Sequence, residues 1–255
     1  MHEHMPGVPV RSLAVHRSIL CVDVESYGGR ANWDQLAVRA GLFGALDAAL
    51  AESGVPAHWR TCEDRGDGAL VLVTPEVPKE RLAGPFPEHL AAGIERHNAA
   101  AEPGARIRMR AALHAGEVHY DDRGVAGTAI NMAFRMLEAA PLKTALRASP
   151  GVLAVIASDW IYQEVVRQNR TCRAAAYQRV RVSVKETRIP AWVRALPAGP
   201  AAETPVAAAV SAAPGGAPRR SPARARRPAA RPVTLRGPAR ERARLDPGDP
   251  GGPVG

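Results

Sequence analysis

Cysteine is scarce in this chain: Cys21, Cys62 and Cys172 are the only three in 255 residues, and no two share a CxxC spacing. That number and spacing exclude a disulfide framework and a thiolate zinc cage, so the three read as reduced core or surface thiols of a cytoplasmic protein. Aromatic residues make up only 4%, yet a hydrophobic share of 46% is ample for a packed core. No apolar run approaches the roughly 20 residues of a membrane span, and Met1 to Val15 lacks the continuous apolar segment of a secretory signal. The expectation is a soluble protein with no membrane partner.

Acidic residues are also outnumbered, leaving a formal charge of +9. Most of that excess lies at one end. From Pro197 onward there are ten arginines against four acids, so +6 belongs to this segment and only +3 to the rest. The same segment is rich in Ala, Pro, Arg and Gly with almost no large apolar residues. Such a composition cannot offset its own ordering entropy, which predicts a disordered, solvated tail over 197–255. A weak electrostatic tether for nucleic acid is the less favoured reading of its arginines. Residues 1–16 read as a loose leader, and 17–196 as the folded domain.

Within 17–196 the pattern predicts a buried strand over Arg17–Val24, a helix over Trp33–Ser53, and a hairpin with strands near His58–Glu63 and Ala69–Val73. A helix over Phe86–His97 follows. Ile107–His114 and Gly116–Tyr120 then read as two hairpin strands. Helices over Thr128–Ala140 and from Pro141 to about Arg147 come next, then a strand over Val152–Ala157. Ser158-Asp159 reads as the cap of a helix over Trp160–Arg167, before strands Arg179–Val184 and Ala191–Leu196. The fold class expected is α+β, a ferredoxin-like βαββαβ core with an αββ extension.

Two carboxylates stand out. Asp67 lies between Gly66 and Gly68 at the tip of the predicted hairpin, where a tight turn directs its side chain to one side. Asp23 ends the apolar strand Ile19-Leu20-Cys21-Val22-Asp23-Val24-Glu25. If the two strands are neighbours, the carboxylates converge, and a pair of hard oxygen ligands is a place to hold a cation. Further along, Asn131 and Arg135 stand four apart on a predicted helix and so project from one face.

Four stretches in this order resemble the class III nucleotidyl cyclase domain, the adenylyl and guanylyl cyclase family, over about Arg17 to Leu196. They are Asp23-Val24-Glu25 with Gly28, the hairpin Gly66-Asp67, the strand Arg110-Ala111-Ala112-Leu113-His114-Ala115-Gly116, and Gly127-Thr128-Ala129-Ile130-Asn131-Met132-Ala133-Phe134-Arg135-Met136. Val182-Ser183-Val184-Lys185 is similar to the family's lysine-bearing strand. The turn Glu25-Ser26-Tyr27-Gly28 departs from the family's usual Gly-Phe-Thr. No Gly-Gly-Asp/Glu-Glu-Phe occurs, which sets diguanylate cyclases aside.

The resemblance implies cyclisation of a nucleoside triphosphate to a 3',5'-cyclic nucleotide and pyrophosphate, by in-line attack of the ribose 3'-oxygen on the α-phosphorus. It assigns Asp23, Asp67 and the Val24 carbonyl to two Mg²⁺ or Mn²⁺ ions per site. It assigns Asn131 to orienting the ribose, Arg135 to stabilising charge on the α-phosphate, and Lys185 to the terminal phosphates. It also implies a head-to-tail homodimer in which the aspartates come from one subunit and Asn131, Arg135 and Lys185 from the other. The two base-reading positions of the family fall on Glu63 and Gly124. Glu63 accepts from the donor edge of guanine and leans to GTP, while Gly124 offers no side chain, so guanine, adenine and a pyrimidine all stay open. A cyclase-like module that binds nucleotide or dimerises with little turnover is the alternative. Glu25, His114, Glu117 and His119 read as structural or solvated.

Overall fold

The computed structural model describes residues 13–198. The leader up to residue 12 and the tail from 199 lie outside the described residues. A single mixed sheet runs in the order β2-β3-β1-β4-β6-β8-β7, with β5 paired to β4. Its strands are β1 (Val15–Val24), β2 (Arg60–Asp64), β3 (Gly68–Val73), β4 (Met109–Asp121), β5 (Gly124–Ala126), β6 (Leu153–Ser158), β7 (Gln178–Val184) and β8 (Thr187–Ala195). The helices are α1 (Asn32–Glu52), α2 (Glu80–Ala83), α3 (Pro85–Ala100), α4 (Thr128–Leu137), α5 (Ala140–Ala148) and the short α6 (Asp159–Ile161).

Apart from the short α2, the elements up to β4, β1-α1-β2-β3-α3-β4, are the expected ferredoxin-like core, with β1 central and antiparallel to both β3 and β4. The inner strands β1, β3 and β6 bury both faces, as their near-continuous apolar runs require, whereas the edge strands β2 and β7 are largely exposed. On one face Leu20, Val22 and Val24 pack beneath α1 and α3 through Leu42, Leu46, Leu90 and Ile94. On the other, Ile19 and Cys21 pack beneath α4 and α5 through Ile130, Met136 and Leu142. Past β4 come the short β5, paired to β4, then β6 parallel to β4, with β8 and β7 closing the sheet.

Three local expectations are corrected. Ile107–His114 and Gly116–Tyr120 are not a hairpin: β4 runs straight from Met109 to Asp121, since β1 pairs along it from Val15↔Val118 to Val24↔Met109 and keeps Gly116 extended opposite Arg17. The true reversal comes later, where Asp121 pairs with Gly124. Helix α4 stops at Leu137 rather than Ala140, because Pro141 sits in the first turn of α5, where a missing N–H costs nothing. Beyond β6, Ser158 caps as expected, its hydroxyl accepting from Ile161 N at 3.3 Å, but the helix after Ile161 widens into a π-helical turn over Tyr162–Val166.

Candidate active site

Register brings the two aspartates to one end of the sheet. Asp23, next to last in β1, faces Gly68 on β3 and Arg110 on β4. The Val24 amide donates to the Asp67 carbonyl at 2.9 Å, which ties the hairpin tip to the end of β1. This contact depends on Gly68: a Cβ there would lie 2.0 Å from the Val22 carbonyl oxygen, so only glycine lets β3 start so close to β1. Gly68→Ala is expected to cost about 2–3 kcal/mol and to lower the melting midpoint by roughly 5–10 °C in calorimetry.

The Asp23 carboxylate is gripped from the side by Arg110, whose Nε and Nη2 donate to its two oxygens at 2.9 and 2.7 Å. Burial nevertheless pushes the Asp23 carboxyl up to about 6; Arg110 pulls it down, the nearby Asp67 pushes it up, and Lys143 of α5 pulls it down again. Burial outweighs the arginine, so further positive charge at this position would be stabilising. Asp67 itself is exposed.

Arg39 of α1 holds the hairpin from the opposite side. Its Nη1 donates to the Gly66 carbonyl at 2.5 Å and to Asp64 Oδ1 at 3.0 Å, and its Nη2 also pairs with Asp64. Asp64 in turn accepts from the Gly66 amide at 2.7 Å. The Arg39 hydrogen bonds, then that amide, hold the Asp64 carboxyl below the usual carboxylate range. Glu63, on the Asp23 face of β2, is ion-paired with Arg65 at 2.7 Å, and the Arg65 guanidinium lies 5.7 Å from the centre of the Phe134 ring on α4.

The remaining predicted residues form a second group. Asn131 is exposed on α4, and Arg135, one turn further on, has its side chain only 19% exposed. Its Nη2 lies 3.6 Å from Glu186 in the β7–β8 turn, its Nη1 4.0 Å from Glu138, and its buried Nε has no hydrogen-bond partner among the described residues. Lys185 occupies that same turn, exposed and in the left-handed region at φ 49°. Among the described residues no hydrogen bond or ion pair joins Asn131, Arg135 and Lys185 to Asp23, Asp67 and Glu63. Gly124 belongs to neither group: it sits in the β4–β5 turn at φ 135°, with open space where a Cβ would be.

Asp23, Asp67 and the Val24 backbone are a donor set of hard oxygens with two carboxylates, and no group of three or more His, Cys, Asp or Glu side chains gathers anywhere among the described residues. Two carboxylates, one of them short of compensating charge, suit divalent cations that draw their other ligands from phosphate or water oxygens. Arg110 and Arg39 had no assigned role in the sequence reading. Arg110 carried a signal, since it opens the strand that resembles the family's; Arg39 carried none.

His114 is placed structurally. Its Nδ1 lies 2.9 Å from Ser158 Oγ, the cap of α6, and burial, with His16 nearby, holds its imidazole down to about 4. The folded state therefore prefers neutral His114, and the stability this gives is complete above the unfolded value of 6.5 and is lost as pH falls toward 4. Asp23 works the opposite way, its folded carboxyl favouring the proton, so stability from that group grows as pH falls through 6. The two offset one another in the native chain. His114→Gln removes one side of the balance: relative to wild type the variant should gain up to about 3 kcal/mol between pH 6.5 and 4, read from urea midpoints across that window. A pH-independent difference would contradict the assignment.

No helix among the described residues is long and apolar enough to cross a membrane. No protein-family model matches the chain, and no curated protein matches it in sequence. Solved structures do match. An adenylate/guanylate cyclase/hydrolase from Silicibacter pomeroyi superposes with a TM-score of 0.52 at 19% identity, over 72% of this chain and 98% of that one. The guanylyl cyclase Cya2 gives 0.48 at 17%, over 71% and 91%. The guanylate cyclase domain of RhGC from Catenaria anguillulae, solved with GTP, gives 0.46 at 17%, over 70% and 95%. The sheet order, the ferredoxin-like core and the first of these superpositions agree that residues 13–198 have the fold of a class III nucleotidyl cyclase domain.

Proposed function

We propose that the chain cyclises a nucleoside triphosphate to a 3',5'-cyclic nucleotide with release of pyrophosphate. The observation that carries this is the Asp23–Asp67 end of the sheet: one carboxylate near the end of β1 and one in the adjoining β2–β3 turn, the first buried enough to be pushed up to about 6 despite a bidentate arginine. Asp23, Asp67 and the Val24 carbonyl would hold two Mg²⁺ or Mn²⁺ ions, which supply activation of the 3'-oxygen and neutralisation of the triphosphate. Arg110 keeps the Asp23 carboxylate fixed in plane and free of side-chain rotation.

The second group completes the site from another copy of the chain. Arg135 has a buried Nε without a partner and a guanidinium edge held by Glu186, so it is pre-aimed and costs little to reorganise when charge builds on the α-phosphate. Asn131, one turn earlier, orients the ribose, and Lys185 takes the terminal phosphates. The lack of any internal link between these residues and the aspartates supports a head-to-tail homodimer with two shared sites. Glu63 favours the donor edge of guanine and so leans the choice toward GTP, once its pairing with Arg65 is exchanged for the base.

Incubation of the purified chain with Mn²⁺ and each of the four ribonucleoside triphosphates, read by chromatography for cyclic product, tests the proposal. GTP is expected to give the largest yield. A second reading, a cyclase-like module that binds nucleotide with little turnover, is favoured by Glu63 being engaged with Arg65 and by Gly124 lacking a side chain. Nucleotide binding with no cyclic product from any of the four would select that reading.

A further inference from the structure

The +3 charge of the folded region is not spread evenly. Between Arg167 and Arg188 the chain has six arginines and one lysine against a single acid, Glu186, so the rest of the folded region is net acidic. The β7–β8 ribbon gathers the exposed part of this excess. Arg179 and Arg181 point to one face of β7, and in register beyond them Arg188 lies opposite Ser183 on the same face. Arg179 and Arg181 are therefore two residues apart along β7, about 6.7 Å, and Arg188 continues the same face from the adjacent strand.

Arg179 and Arg181 make no hydrogen bond or ion pair among the described residues, and Arg188 bonds only to the carbonyls of Lys185 and Thr187 in its own turn. Cations so placed are not compensated within the fold. The three arginines border a groove of about 450 Å³ along the sheet edge, and Pro190, opposite Arg181, lies on the same face, while Val180 and Ile189 turn inward to the core. β7 is the last strand of the sheet, so the groove is open along its length. The ribbon is rigid at its base, where Trp192 stacks on Tyr162 at 3.6 Å between ring centres and its Nε1 donates to Asp159 at 2.8 Å. Next to Asp159, Trp160 leaves 48% of its surface in solvent.

From this arrangement we infer that the outer face of the β7–β8 ribbon binds single-stranded nucleic acid through its phosphate backbone. Guanidinium forks match phosphate oxygens two by two. An extended ribbon presents them along one edge that a flexible strand can follow, and Pro190 on the same face, with the exposed indole of Trp160 beyond the ribbon's base, offers apolar contact to sugars and unstacked bases. An acidic protein segment would satisfy the charge but offers neither the paired phosphate oxygens that the guanidinium forks match nor bases to set against the indole.

The test uses the full chain and a labelled oligothymidylate of about 16 nucleotides, followed by fluorescence anisotropy over a salt series. The basic tail adds the same background to every variant, so the comparison is between wild type and the triple substitution Arg179→Ser, Arg181→Ser and Arg188→Ser. These side chains are exposed, and the melting curve of the variant should superpose on that of wild type. Losing three phosphate contacts should weaken binding by at least tenfold at low salt and reduce the slope of log K against log salt by about 2. Hydrogen exchange should slow across residues 178–184 on binding in wild type alone. An unchanged slope and affinity would overturn the inference. So would competition by polyglutamate of matched charge as effective as that of the oligonucleotide, which would give the face to an acidic protein instead.

Discussion

Asp67→Ala is expected to reduce cyclic-nucleotide formation by about 10³-fold or more, with the melting midpoint unchanged. Asp67 is exposed, and among the described residues its only hydrogen bond is through the backbone, its carbonyl accepting from Val24 N at 2.9 Å. Replacing the side chain therefore leaves the hairpin tied to β1 and held by Arg39 through Gly66 and Asp64. What disappears is one of two carboxylates, about 4 kcal/mol of transition-state stabilisation at this loss of rate. Asp23→Ala should lose as much activity but differ in stability, since it strands the Arg110 guanidinium, only 14% exposed, without its counter-ion. A loss of roughly 3 kcal/mol in urea denaturation is expected there. Activity that survives Asp67→Ala would remove the aspartate pair from the reaction.

A mixture of Asp67→Ala and Arg135→Ala chains should regain activity that neither has alone. Arg135→Ala by itself should cost about 10²–10³-fold, the usual loss for one pre-aimed charge donor. If the aspartates of one copy work with Asn131, Arg135 and Lys185 of another, half of randomly paired dimers are mixed, and each holds one complete site of two. The mixture should then reach about a quarter of wild-type activity after co-refolding or prolonged exchange. The physical basis is the separate engagement of the two groups: Arg135 is paired with Glu186 and Glu138, Asp23 with Arg110, and among the described residues no hydrogen bond or ion pair joins one group to the other. A mixture as inactive as its components, in which sedimentation shows mixed dimers, would place the whole site in one chain.

Much of the fold could be read in advance because its determinants are local. The apolar run of β1, the Leu42, Leu46 and Leu50 spacing of α1, the Gly66-Asp67-Gly68 turn and the Ser158 cap each act through neighbours in sequence. The same is true of the Asn131–Arg135 pair, whose shared face follows from helix geometry alone. The misreadings came where a distant partner overrides local preference. Gly116 reads as a turn, yet ten consecutive pairings with β1 hold it extended. The widening of the helix after Ile161 accompanies the stacking of Tyr162 on Trp192, 30 positions away in the chain.

By itself, the sequence determined most of the strands and helices, the apolar runs that bury the inner strands, and which carboxylates lie at strand ends and turns, because periodicity and turn chemistry are properties of a few adjacent residues. Tertiary structure alone decided what those carboxylates meet. Asp23 lies 87 positions from Arg110 and Arg39 lies 27 from Gly66, and the three arginines of the β7–β8 face align only through the register Arg181↔Pro190 and Ser183↔Arg188. Such encounters depend on how strands pair, and a slip of one residue would turn each side chain to the other face.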